Sequence, residues 1–188
     1  MNRFVIVSGL PASGKSTLAR AVAQALALPV LDKDDFLEAM FERGGTDDAH
    51  RRRELSQTAD EVLRKQVEQS DGAIVASWWK HPQSPDDSGT PIEWLTSLPG
   101  LRVEIYCRCD PAIAARRFTA RRRHPGHLDG RWSAAELIAR FARQASLGPL
   151  GVGHVVEVRT EHEVDLDPLV RGIARAFEET RQEPTGGR

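Results

Sequence analysis

The sequence predicts an α/β protein: a five-stranded parallel sheet with helices on both faces. Two observations predict it. Short runs such as Phe4-Val5-Ile6-Val7 and Ala73-Ile74-Val75-Ala76 are continuously apolar, as strands buried on both faces are. These runs alternate with longer stretches of helical periodicity, the order that strand, crossover helix and parallel strand produce.

The elements follow in chain order. Phe4–Val7 is the first strand and ends in Ser8-Gly9. Leu18 to Leu28 is rich in alanine and leucine and reads as a helix, stopped by Pro29. Val30-Leu31 is a second short strand ending at Asp32. Phe36 to Phe41 reads as a helical turn or two, closed by Gly44-Gly45, and Asp47 to Gln69 as a long polar helix. Leu55, Ala59, Val62, Leu63 and Val67 give that helix one apolar side. Ala73–Ala76 is the third strand, and His81 to Gly89 is a loop rich in Pro, Asp and Ser. Ile92 to Leu98 is a short helix, and Leu101 to Cys107 is the fourth strand. Pro111 opens a helix running to about Arg122. Ser133 caps another, with Glu136 at capping-box spacing. Val155–Val158 is the fifth strand, and Asp167-Pro168 opens a last helix ending near Arg181. No repeat or linker divides the chain, so residues 1–182 are expected to form one domain, with 183–188 a disordered tail.

Composition narrows the function. Of 188 residues, 40% are hydrophobic and 28% charged, as in soluble globular proteins. No apolar run approaches the ~20 residues of a membrane span, and the N-terminus does not read as a signal peptide. The net charge of −1 gives no electrostatic case for nucleic acid or an anionic membrane. Cys107 and Cys109 are expected as unpaired core residues of a cytoplasmic protein.

The strongest chemical signal is Gly9-Leu10-Pro11-Ala12-Ser13-Gly14-Lys15-Ser16, followed by Thr17. It fits G-x-x-x-x-G-K-[ST] between a buried strand and a helix, the pattern of a phosphate-binding P-loop. Glycines let the backbone curl so that successive N–H groups face an anion, and the helix adds its positive end. Gly9, Pro11, Ala12, Ser13, Gly14 and Thr17 therefore form the cradle of a nucleoside triphosphate. Lys15 would reach the terminal phosphates and Ser16 would ligate Mg²⁺, so ATP and Mg²⁺ are the expected cofactors.

Asp32-Lys33-Asp34-Asp35-Phe36 follows the second strand. Ligands of open parallel sheets bind beyond the C-terminal strand ends, so this acidic step should face the loop. Transfer of a phosphoryl group to a hydroxyl needs a carboxylate that orients the hydroxyl and takes its proton. Asp34 is placed in that role and as a metal ligand, directly or through water; Asp35 is either a substrate contact or a helix cap. Which of the two is the base stays open.

With the loop, the acidic step and an arginine-rich segment downstream, the chain resembles the P-loop small-molecule kinases of AAA and zeta-toxin type. These include chloramphenicol phosphotransferase, gluconate kinase, adenylylsulfate kinase and the kinase half of phage polynucleotide kinase. The resemblance implies that Asp34 takes the position of the catalytic aspartate, and that a lid lies at about 116–132. Phage polynucleotide kinase is similar in its paired acids and aromatic, but has an arginine where this chain has Leu37. That departure counts against a nucleic-acid acceptor. In the Arg116–His127 segment, Arg117 and Arg121 are four apart and are expected on one helical face, clamping ATP phosphates. The alternative is a solvated basic helix.

The third strand ends in Ser77-Trp78-Trp79-Lys80, without the acid that often organises metal there. Trp78 or Trp79 is expected to stack on the acceptor while the other faces the core, and Lys80 to hold an anionic group. The resulting expectation is a kinase transferring the γ-phosphate of ATP to a hydroxyl of a sugar, nucleoside, nucleotide or antibiotic. The alternatives are a nucleic-acid 5′-end kinase, a toxin-like nucleotide-sugar kinase and a nucleotide-gated ATPase. A monomer and a dimer are equally open.

Overall fold

The computed structural model describes residues 1–44, 48–127 and 132–182. Expectations at Gly45 and Asp47, in the lid at 128–131 and in the tail lie outside these residues. The strands are β1 (Arg3–Gly9), β2 (Val30–Asp32), β3 (Gly72–Ala76), β4 (Leu101–Arg108) and β5 (His154–Arg159). The α-helices are α1 (Lys15–Leu26), α2 (Lys33–Gly44), α3 (Ala49–Glu68), α4 (Pro111–Ala120), α5 (Ala134–Ala145) and α6 (Leu166–Gln182). The sheet is parallel throughout, in the order β2-β3-β1-β4-β5. Strand β1, which feeds the P-loop, therefore sits at its centre.

Alternation along β1 divides the core. Val5 and Val7 face α1 and α6, packing with Leu18, Val22, Ile173 and Phe177. Phe4 and Ile6 face the opposite side with Leu63 and Val67 of α3 and with Trp79, Trp94 and Leu95. Two smaller clusters complete the packing. One joins α4 and α5 through Ala114, Leu137 and Phe141, and the other joins α2 and α3 through Leu37, Phe41 and Leu55.

Three boundaries differ from the sequence reading. Helix α2 starts at Lys33 rather than Phe36, because the Asp32 carboxylate accepts from the Asp34 amide (3.0 Å) and opens the helix earlier. The helix opened by Pro111 stops at Ala120, and Arg121 is extended (φ −70°, ψ 142°). The segment at Ile92–Leu98 is a 3₁₀ turn over Glu93–Ser97. The capping box of Ser133 and Glu136 forms as expected. Among the described residues no helix is long and apolar enough to cross a membrane.

Two polar arrangements fix what surrounds the P-loop. Glu104 of β4 is 0% exposed. Its carboxylate accepts from Ser8 Oγ (2.5 Å), Leu150 N (2.8 Å), Gly151 N (2.8 Å) and, more weakly, Val152 N (3.4 Å). It thus ties the end of β1 to the chain entering β5. On the other side, Thr90 closes the loop after β3. Its N–H donates to Trp78 O (2.7 Å), its carbonyl accepts from Lys80 N (2.9 Å), and its hydroxyl pairs with Ser77 (2.5 Å).

Candidate active site

The P-loop runs from the end of β1 into α1. Gly9, Ala12 and Gly14 have φ of +128°, +59° and +94°, so the backbone curls as the motif requires. Gly9 is also demanded by space: a Cβ there would lie 2.4 Å from the Cys107 carbonyl. Lys15 is 9% exposed, and its Nζ donates to the carbonyls of Gly9 (3.1 Å) and Leu10 (2.7 Å). Burial pushes its ammonium below the usual lysine range, while Asp34 and Asp32 oppose the shift.

Beyond the loop opens a cleft of about 1010 Å³, lined by Lys15, Ser16, Asp32, Asp34, Trp78, Arg121 and Arg123 among others. Asp34 stands on the first turn of α2, ion-paired with Arg123 Nη2. Burial pushes its carboxyl up, but Arg123, His127, Lys15 and Arg121 outweigh burial and hold it below the usual carboxylate range. The segment after α4 is docked on α2 by further contacts. His127 Nε2 meets Glu38 at 2.8 Å, and Phe41 packs against the rings of His124 and His127 at 5.2 and 5.3 Å.

Several sequence expectations are corrected. Asp35 does not line the cleft: it is exposed and pairs with Arg20 at 2.9 Å, because α2 turns it away from Asp34. Trp79 is 3% exposed and donates its indole N–H to Val7 O (2.9 Å), so of the two tryptophans it is the one that faces the core. Trp78 lines the cleft, with the Arg140 guanidinium 5.2 Å from its ring. Lys80 also borders the cleft, but Asp87 already engages its ammonium at 2.6 Å. Arg117 and Arg121 do not share a helical face, since α4 ends between them. Arg117 donates to the carbonyls of Thr160 and Glu161, both at 2.7 Å, and braces the turn after β5. Arg121 lies 4.3 Å over Phe118 and acts electrostatically on both Lys15 and Asp34.

Sequence reasoning missed Asp32, Arg123 and Arg140. Asp32 is 4% exposed, and its carboxylate accepts from the Asp34 amide at 3.0 Å. Burial pushes its carboxyl up, and the neighbouring Ser16 hydroxyl works against that. Its signal was available: an acid as the last residue of a strand that points at the P-loop. Among the described residues no three His, Cys, Asp or Glu side chains converge as a metal site. The donors nearest the loop are Ser16, Asp32 and Asp34. Oxygen ligands of this kind suit Mg²⁺, which takes one or two carboxylates and fills its shell with phosphate and water.

The model of the AAA domain family matches residues 4–141. The chain belongs to this family. Among solved structures it is similar to a provisionally named kinase from Chloroflexus aurantiacus j-10-fl. The two are 27% identical with a TM-score of 0.74 over 93% of this chain and 98% of that one. Shikimate kinase from Bacteroides thetaiotaomicron (19% identity, TM-score 0.56, 95% and 97% coverage) shares the fold. So does a gluconokinase from Sinorhizobium meliloti 1021 (18% identity, TM-score 0.55, 95% and 94% coverage). No curated protein matches the sequence. The fold is that of a P-loop kinase, and two of the named neighbours are a shikimate kinase and a gluconokinase.

Proposed function

We propose that residues 1–182 form one kinase domain that transfers the γ-phosphate of ATP to a hydroxyl of a small molecule. One observation carries this reading: Asp34 opens onto the same cleft as Lys15 and Ser16. A carboxylate beside the terminal-phosphate site is what a hydroxyl acceptor needs and what nucleotide binding alone does not.

In this reading the P-loop amides and Lys15 hold the phosphates, and Arg121 offsets charge developing on the transferred group. Ser16, Asp32 and Asp34 would hold Mg²⁺, which when bound neutralises charge between the β- and γ-phosphates. Asp34 orients the acceptor hydroxyl. Its proton passes to the carboxylate as the acceptor oxygen bonds to the γ-phosphorus and the bond to ADP breaks. Arg123 must release Asp34 for this to happen. Arg117 lines the cleft while its guanidinium is held by the turn after β5. The buried, unpaired Cys107 and Cys109 accord with a reducing, cytoplasmic setting.

The test is transfer of labelled γ-phosphate across pooled small alcohols, comparing the parent with Asp34→Asn. Loss of about 10²–10⁴-fold in transfer, with ATP affinity within a few-fold, is the expected result. Label released only as free phosphate, equally in every pool, would replace the kinase with an ATPase. Unchanged transfer in Asp34→Asn would remove Asp34 from the chemistry.

A further inference from the structure

One face of α2 carries Asp34, Glu38 and Phe41 at helical spacing, on successive turns. The segment after α4 crosses this face, and all three residues hold part of it. Arg123 Nη2 pairs with Asp34 Oδ2, and its Nε lies 3.9 Å from Glu38 Oε1. The same Glu38 oxygen meets His127 Nε2 at 2.8 Å. An ionised carboxylate only accepts, so Nε2 carries the proton there. Phe41 is 2% exposed, stacks on His124 and takes the edge of His127. His124 also closes the segment on itself: its carbonyl accepts from His127 N (3.0 Å) and its Nδ1 from Gly126 N (3.1 Å). Residues 121–127 thus form a strap fastened along α2, and its first fastening is the carboxylate that faces the terminal-phosphate site.

That fastening changes what Asp34 can do. A general base works through a free lone pair and through its affinity for the proton. Arg123 takes Oδ2 and, first among the neighbouring charges, holds the carboxyl below its usual range. Water standing in the acceptor's place is then poorly activated. An acceptor hydroxyl oriented by Asp34 competes with Arg123 for the carboxylate, whereas ATP on the P-loop does not.

We propose that the strap is a latch on Asp34: Arg123 keeps the carboxylate engaged until an acceptor hydroxyl displaces it, so that bound ATP is not hydrolysed meanwhile. Glu38 and His127 are positioning residues that act through Arg123. This rests on the kinase reading above and adds how its site is regulated. In the reaction the latch suppresses, a water oxygen bonds to the γ-phosphorus, the bond to ADP breaks, and the water proton passes to Asp34. Arg123 exchanges no proton in that step and acts by holding the group that would receive one.

The test needs no acceptor. Release of labelled phosphate from γ-labelled ATP with Mg²⁺ is measured in the parent, in Glu38→Gln, in Arg123→Gln, and in each of these combined with Asp34→Asn. Glu38→Gln and Arg123→Gln are expected to hydrolyse ATP about fivefold faster than the parent or more, with the KM for ATP within about twofold. Adding Asp34→Asn is expected to return the rate to the parent's or below, which a general loosening of the fold would not do. A rise in either variant that Asp34→Asn removes supports the latch. Rates within about twofold of the parent in both would overturn it, and so would a rise that survives Asp34→Asn. Melting temperatures check folding, and Arg123→Gln, outside every apolar cluster, decides alone if Glu38→Gln unfolds. The kinase reading fails by a different result, parent protein that labels no alcohol in any pool. The same variant rates then still decide whether the strap restrains Asp34.

Discussion

Glu104→Gln isolates the polar tie beneath the P-loop. In the parent, one carboxylate oxygen accepts from Ser8 and Leu150 N, and the other from Gly151 N and weakly from Val152 N. Glutamine has the same shape but only one acceptor oxygen. If its NH₂ faces Ser8 and Leu150, the serine hydroxyl can turn to accept, but the Leu150 amide is left facing a donor. If it faces the other way, the Gly151 amide is left. Either orientation strands one N–H of a partly buried bond, which costs up to about 1–3 kcal/mol. Relief of burying a carboxylate opposes the loss of the charge-assisted bonds, so the net expected cost is about 2 kcal/mol. Glu104→Ala strands the Ser8, Leu150 and Gly151 donors together and is expected to cost about 3–6 kcal/mol on the same basis. Urea unfolding measures both. At an m value of about 2 kcal/mol/M the Gln midpoint should fall by about 1 M with m unchanged. A Gln midpoint indistinguishable from the parent would refute the count of donors that Glu104 serves.

The remaining predictions concern the cleft and its walls. Arg123→Ala removes the largest charge opposing burial of Asp34, so the Asp34 carboxyl should rise. A depressed carboxylate adds stability above its unfolded pKa that is lost as pH falls through the folded one. The variant should therefore begin acid unfolding at higher pH, followed by circular dichroism, and its transfer rate should lose its acid limb at higher pH too. Trp79→Phe leaves the Val7 carbonyl without its indole donor and should cost about 1–3 kcal/mol in urea unfolding. Trp78→Phe, at the cleft wall, should stay within about 0.5 kcal/mol, a surface-like effect. Gly89→Ala should destabilise by more than the ~1 kcal/mol of an ordinary glycine replacement. Its φ is +108° and a Cβ would meet Lys80 N at 2.7 Å. A melting curve matching the parent would refute that reading.

What the sequence shows follows from what is local. The P-loop is legible because strand, glycines, lysine and helix are adjacent and their backbone conformation is set by residue type. Asp34 is legible because a strand end fixes its side of the sheet. Arg117 and Arg121 were misjudged because an i,i+4 spacing names a shared face only while the helix lasts, and α4 ends first. Asp35 was misjudged because helix α2 begins three residues early, which rotates adjacent acids to different sides. Arg123 meets Asp34 across 89 positions, and no local pattern announces such a pair. Glu104 did leave a trace: one acid inside the apolar run Val103-Glu104-Ile105-Tyr106 of a strand buried on both faces. Its partners, in the turn at 150–152, were out of reach of periodicity.

The Thr90 closure has a consequence for how this cleft can diversify. Trp78 and Lys80 are bonded to Thr90 through their backbones, so the ends of the loop are clamped before its tip begins. The nine residues His81–Gly89 between the clamps therefore behave as a cassette. Doubling the length of such a segment adds only about 0.6 kcal/mol of closure entropy. Insertions there would redraw the rim of the cleft while β3, the sheet and the P-loop kept their places.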